Sequence, residues 1–189
     1  MKAVCVYLGA NMGNSKSFEQ EAIKLAHELV SRGLTLIYGG SSLGMMGLLA
    51  TSVKELGGKV IGVITTHLID KEKPLATLDQ LHVVDSMQER KKMLQELADA
   101  FIAMPGGLGT LEEAIETWNS IKIGELDKKI GFLNIDNYFQ KLFDFINDCE
   151  TNGFMNSKQT AIPIVNSNSS LLLNHLARTT EDDKKTILV

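Results

Sequence analysis

Cysteine is scarce in this chain: two residues in 189, Cys5 and Cys149. Neither stands at a metal-ligand spacing and two cannot build a disulfide framework, so both are expected as buried, reduced thiols. Long apolar runs are absent too. No stretch reaches the ~18 apolar residues of a membrane helix, and the chain enters its first strand-like run with no basic region or cleavage site before it, so a cytoplasmic protein without membrane partners is expected. Excess positive charge is also missing. A net charge of −4 argues against a nucleic-acid partner, while leaving room for a small anionic ligand in a local basic pocket.

Several site signatures are lacking as well. His27, His67, His82 and His175 are scattered without ligand spacing and read as surface or packing residues, so no metal is expected. The first turn, Gly9-Ala10-Asn11-Met12-Gly13, is not G-x-G-x-x-G, and the second strand ends in Tyr38-Gly39 instead of a ribose-binding acid, which disfavours NAD. No G-x-x-x-x-G-K-[ST] occurs, which disfavours a phosphoryl-transferring P-loop. No cofactor is called for.

What remains is a chain of ordinary globular composition, 44% hydrophobic and 22% charged. Apolar runs of strand length alternate with segments of helical period. Strands are expected at 3–8, 34–38, 60–64, 81–84, 99–104, 130–135 and 163–165, and helices at 17–32, 44–56, 86–97, 110–123, 137–152 and 168–177. That order predicts an α/β fold: a Rossmann-like, doubly wound parallel sheet with helices on both faces, in a single domain over 1–178. Residues 65–80, with Pro74 and mixed charge, read as a loop over the site. The tail 179–189, with its Glu181-Asp182-Asp183-Lys184-Lys185 run, reads as solvated. Met45, Met46, Met93 and Met104 read as core filler.

The most informative segment is Pro105-Gly106-Gly107-Leu108-Gly109-Thr110-Leu111-Glu112-Glu113, which joins a strand to a helix through a turn almost free of side chains. Gly106, Gly107 and Gly109 let the backbone take positive φ and approach a ligand closely, and the helix after them offers N–H groups and a positive dipole end to an anion. Glu113 would then stand in the first helical turn. The same residues also read as a capping box, Thr110 with Glu113. A second Gly-rich turn, Gly39-Gly40-Ser41-Ser42-Leu43-Gly44-Met45-Met46-Gly47, again follows a strand and opens a helix. In open parallel sheets ligands lie beyond the carboxyl ends of the strands, so the turns at 9–13, 39–44 and 105–110 are expected to converge. A third cluster, Ser86-Met87-Gln88-Glu89-Arg90-Lys91, reads as a capped helix start whose cations oppose the dipole, an adverse local choice that often marks a site.

Taken together these three segments resemble the LOG ("lonely guy") family of cytokinin riboside 5′-monophosphate phosphoribohydrolases. The PGGxGTxxE and MxERK patterns and the first Gly run occur in the family's order and separation, and the similarity runs from Val4 to about Leu176. The resemblance implies hydrolysis of the N-glycosidic bond of a nucleoside 5′-monophosphate, a cytokinin ribotide or an AMP-like nucleotide, to free base and ribose 5-phosphate. It implies a homodimer or larger homo-oligomer. Arg90 and Glu113 would be the catalytic pair. Substrate contacts would come from Gly40, Gly44, Glu72, Lys91 and the run Gly106, Gly107, Leu108, Gly109, Thr110, Leu111 and Glu112. The chain departs from the family pattern at Gly9-Ala10-Asn11, Ser41, Gln88 and Asn119, positions that bear on substrate identity.

Physically, a fixed carboxylate beside the sugar favours the positive charge that develops as the glycosidic bond breaks. Glu113 suits that role, the holding of ribose hydroxyls, or the orienting of water. Arg90 suits orienting the substrate or assisting the departing base. A non-catalytic nucleotide or cofactor carrier is the alternative, and a purely structural protein a third. A carrier needs the glycine turns but not the Arg90–Glu113 pair.

Overall fold

A computed structural model describes residues 1–178, so the charged tail expected at 179–189 lies outside the described residues. The strands are β1 Ala3–Tyr7, β2 Thr35–Tyr38, β3 Val60–Thr65, β4 Gln80–Val84, β5 Ala100–Ala103, β6 Lys129–Leu133 and β7 Ile164–Asn166. They form one sheet in the order β4-β3-β2-β1-β5-β6-β7, every neighbouring pair parallel. The helices are α1 Lys16–Ser31, α2 Gly44–Glu55, α3 Thr66–Glu72, α4 Met87–Leu97, α5 Leu108–Lys122, α6 Gln140–Thr151, α7 Ser157–Thr160 and α8 Ser169–Ala177. This is the expected Rossmann-like α/β architecture.

Because successive strand residues face opposite sides, β1 feeds two cores at once. Val4 and Val6 pack with α1, α2 and α8 through Leu25, Leu29, Leu49, Leu172 and Leu173. Cys5 and Tyr7 face the other layer, with Leu94 of α4, Ala114 and Trp118 of α5, and Phe132. Tyr7 stacks on Phe101 at 5.9 Å, and its hydroxyl lies 2.9 Å from that of Thr117. Cys5 is buried as expected, whereas Cys149 on α6 is only half-buried.

Glycine stops close the helices where the sequence placed them. Gly33 takes φ 65 after α1, with its N–H on Val30 and the next N–H on Leu29, and Gly57 does the same after α2. Three expectations need correction. The 65–80 stretch is not all loop: it contains α3, whose seven residues bury no side chain and so carry no apolar stripe to read. The segment 137–152 is not one helix, because Ile135–Asn137 forms a 3-10 turn with Asp136 and Asn137 at φ 52 and 59 before α6 begins. Asp and Asn tolerate that left-handed region. α5 starts at Leu108, two residues early.

The chain runs outward from β1 to β4 on one side and from β5 to β7 on the other, so the order reverses between β1 and β5. A crevice opens at the carboxyl end of such a reversal.

Candidate active site

The Gly-rich turns meet at that crevice. Gly9 N–H donates to the Pro105 carbonyl at 3.2 Å, and Met46 N–H donates to the Gly9 carbonyl at 3.3 Å, so all three turns are in direct contact. Gly44, at φ 54, lies so close to Ala10 that a Cβ there would stand 2.2 Å from its carbonyl oxygen. Beyond the turns is a cavity of about 340 Å³, lined by residues that include Asn11, Phe18, Met46, Glu72, Arg90, Thr110, Glu113 and Tyr138.

The glycines of the 105–110 turn act differently from expectation. None of Gly106, Gly107 and Gly109 has positive φ; Gly107 sits at φ −92. Gly106 is required by proximity, since a Cβ would meet Thr110 Oγ1 at 2.1 Å and Gly9 N at 2.8 Å. At Gly107 and Gly109 a Cβ would meet nothing within 4 Å, so what they supply is open space above the helix start. The capping box does not form either. Gly107 is the N-cap of α5 without a side-chain cap, Thr110 is buried in the first turn, and Glu113 falls in the second turn. α2 likewise has an N-cap, Leu43, that makes no side-chain cap. At α2 the Met46 N–H is taken by the Gly9 carbonyl, so it is the α5 start that opens on the cavity with N–H groups no helix carbonyl satisfies, an arrangement suited to an anion.

Arg90 is buried at 6% exposure and held by carbonyls, not by a carboxylate. Nε donates to Val63 O at 2.9 Å and Nη2 to Gly39 O at 2.8 Å, with Nη1 3.8 Å from Met87 Sδ. A buried cation with neutral partners keeps its charge available to whatever enters the cavity. Gly39 has to be glycine for this, because a Cβ would lie 2.2 Å from Nη2. Glu113 is partly open to the cavity, yet the protein around its carboxyl removes enough water to push it up to about 7, against the pull of Arg90 and Lys91, with Glu112 and Glu72 pushing further upward. A carboxyl poised there exchanges protons readily at neutral pH.

Glu72 comes from the end of α3. Its Oε2 is buried without a hydrogen-bond partner, while its main-chain carbonyl accepts from Ser42 N at 3.2 Å and Ser41 Oγ at 3.3 Å. Ser41, a departure from the family glycine, thus tethers the helix that delivers Glu72.

Lys91 does not line the cavity. Its ammonium pairs with Glu112 at 2.8 Å and with Glu116, which tie α4 to α5 and raise its own pKa, the Glu112 bond most. Gly40 and Gly44 shape the β2–α2 turn from behind. Leu108, 86% exposed, and Leu111 face a separate shallow hollow with Ile115 on the outer side of α5. Gly106, Gly107, Gly109, Thr110 and Glu112 do line the cavity. Among the departures, Ala10 and Asn11 line it, whereas Gln88 and Asn119 are exposed elsewhere.

Sequence reading missed Phe18 and Tyr138, and gave Met12 and Met87 no role of their own although it placed their segments at the site; Met45 and Met46 are core residues as expected and line the cavity as well. The one signal for Tyr138 was its place just beyond the carboxyl end of β6, after two residues suited to a turn.

The family described as possible lysine decarboxylase matches residues 46–176. A cytokinin riboside 5′-monophosphate phosphoribohydrolase of Arabidopsis thaliana is 41% identical over 175 residues, covering 93% of this chain and 77% of that protein. A probable enzyme of the same name from Oryza sativa subsp. japonica is 42% identical over 154 residues, covering 82% of this chain and 68% of its own. Among solved structures, the molybdenum cofactor binding protein of Rippkaea orientalis superposes with a TM-score of 0.68 over 100% of this chain and 99% of that one, at 19% identity. That likeness is one of fold.

Proposed function

The chain belongs to the LOG family of cytokinin riboside 5′-monophosphate phosphoribohydrolases, and from that premise we propose that it hydrolyses the N-glycosidic bond of a nucleoside 5′-monophosphate to free base and ribose 5-phosphate. The observation that carries the reading is that Arg90 and Glu113 share one cavity with the uncapped, glycine-lined start of α5. The 5′-phosphate binds at that helix start, where N–H groups and the dipole favour an anion. Anchoring the phosphate fixes the ribose in the cavity and holds C1′ near the carboxylates.

As the bond breaks, its electron pair leaves with the base nitrogen and positive charge builds on C1′ and the ring oxygen. Glu113 as carboxylate stabilises that charge and accepts a proton of the water whose oxygen bonds to C1′, and that proton goes on to the departing base nitrogen, so free base is released and the carboxylate is restored. A carboxyl poised near 7 suits both parts of this role. Arg90, with its guanidinium held by two carbonyls, orients the substrate and favours negative charge on the departing base. The unpartnered oxygen of Glu72 is an acceptor for a ribose hydroxyl.

The decarboxylase description fits less well. A pyridoxal phosphate enzyme needs a lysine amine for its Schiff base, and among the described residues no lysine lines the cavity. A carrier has no use for a buried arginine facing a poised carboxyl. Assembly as a homodimer or larger, and a place in the cytoplasm, belong to the same reading. Exposed Leu108 and Ile115 on α5 and Leu81 and Val83 on β4 support assembly.

The test is incubation of the pure protein with AMP and with isopentenyladenosine 5′-monophosphate, following free base and ribose 5-phosphate by chromatography. Release that disappears in Glu113→Ala is expected. Tight binding of both nucleotides without release would overturn the hydrolase in favour of the carrier.

A further inference from the structure

Tyr138 reaches the cavity from the turn between β6 and α6, and its surroundings fix where its hydroxyl points. Oη donates to the Gly106 carbonyl at 2.6 Å. The two preceding residues, Asp136 and Asn137, both hold left-handed backbone, which non-glycine residues adopt at a cost that the surrounding structure must offset. Three contacts do so: Ser17 Oγ donates to the Asp136 carboxylate, Asn134 Oδ1 accepts the Phe139 N–H at 2.8 Å, and the Phe139 ring is buried. Phe18 meets the Tyr138 ring edge-on at 5.6 Å. Packing alone would be served by phenylalanine. At 44% exposure the phenol could give its proton to solvent, yet it gives it to a carbonyl of the glycine turn.

That carbonyl matters because a trans peptide is planar, with its C=O and the following N–H pointing in opposite directions. Tethering Gly106 O therefore sets the Gly107 N–H on the side away from Tyr138. Gly107 is the N-cap of α5, with no side chain to restrain its own peptide plane. We infer that Tyr138 is a positioning residue of the anion-binding turn: its hydroxyl holds the Gly106–Gly107 peptide so that the Gly107 N–H is presented to the 5′-phosphate. The inference rests on the phosphoribohydrolase reading, and it requires only that a phosphate group binds this turn.

Tyr138→Phe keeps the ring against Phe18 and Phe139 and deletes one hydroxyl. Steady-state hydrolysis of AMP and of adenosine, and calorimetric binding of ribose 5-phosphate and inorganic phosphate, are compared in wild type and variant. The expected result is a fall of about tenfold or more in kcat/KM for AMP and in ribose 5-phosphate affinity, with adenosine hydrolysis and the thermal midpoint unchanged. Ser17→Ala, which loosens the turn while leaving the phenol, should move the same AMP-to-adenosine ratio in the same direction by a smaller factor. An equal loss on AMP and adenosine, or unaltered ribose 5-phosphate affinity, would overturn the inference. So would a wild-type protein that binds neither phosphate compound. If the wild type binds ribose 5-phosphate but releases no base from any nucleotide, the hydrolase reading fails and the binding comparison still decides the role of Tyr138.

Discussion

Lys91 Nζ lies 2.8 Å from Glu112 Oε1, one residue along each helix from Arg90 and Glu113. The ion pair therefore sets the spacing of α4 and α5 where they present the two proposed catalytic groups. Glu112 is more than half exposed, so solvent screens the pair and its worth in stability is under about 1 kcal/mol. Its larger effect is on geometry and potential. Lys91→Met should lower kcat about 3- to 10-fold with little change in thermal midpoint. It should also move the Glu113 limb of the pH–rate profile upward, because Lys91 is one of the cations that pull that carboxyl down. A variant with an unmoved pH profile would reduce Lys91 to a surface contact.

Glu113 gives a second prediction with a defined sign. Burial raises its carboxyl from the ordinary 4.5 to about 7 in the folded protein. The folded state thus holds the proton more tightly, which is no penalty below pH 4.5, grows as pH rises from 4.5 to 7 and is full above 7. Glu113→Gln should match the wild type in stability near pH 4 and exceed it at pH 8, by up to about 3 kcal/mol on linkage grounds. Denaturant titrations at several pH values read this directly. A constant difference across pH would mean the carboxyl is not desolvated.

Gly39 and Arg90 are coupled twice, by the hydrogen bond from Nη2 to the Gly39 carbonyl and by space, since a Cβ on Gly39 would lie 2.2 Å from that same Nη2. Gly39→Ala should therefore displace the guanidinium and mimic Arg90→Ala, lowering kcat/KM by ~10²-fold or more if the cation acts electrostatically in the transition state. Full activity in Gly39→Ala would show that the exact seat of the arginine is unimportant.

How much of this could be read in advance follows from the kind of signal each part leaves. The strands were legible because those near the sheet's centre are buried on both faces, and so appear as short unbroken apolar runs such as Ala3–Tyr7. The convergence of the Gly-rich turns was legible because parallel topology places every strand's carboxyl end on one edge. Arg90 and Glu113 stood out by motif, and the fold brings both to one cavity. α3 left no trace because it carries no buried apolar stripe, and Glu72 was placed without any hint that Ser41 and Ser42 hold its carbonyl. The conformations of Gly106 and Gly107 were not legible because glycine content marks both positive φ and close approach, and at Gly106 it is close approach that applies. Tyr138 depends on a left-handed Asp-Asn pair, which composition suggests but does not locate.

Gly106 and Gly107 are adjacent yet should respond in opposite ways to the same substitution. A methyl on Gly106 would stand 2.1 Å from Thr110 Oγ1 and 2.8 Å from Gly9 N, so the contact between the first turn and the start of α5 has to open. Gly106→Ala should cost on the order of 1–3 kcal/mol through overpacking and lose nucleotide binding with it. A methyl on Gly107 meets nothing within 4 Å, and its φ of −92 suits alanine. Gly107→Ala should keep or slightly raise the thermal midpoint, since it stiffens the unfolded chain. Its effect should be confined to ligand binding, as a higher KM for nucleotide, because the open space above the helix start is where the proposed mechanism seats the phosphate. Thermal melts and KM values for the two variants separate a glycine kept for packing from one kept for a ligand. If Gly107→Ala leaves KM unchanged while Gly106→Ala raises it, the phosphate lies away from the α5 start and the mechanism loses its anchor.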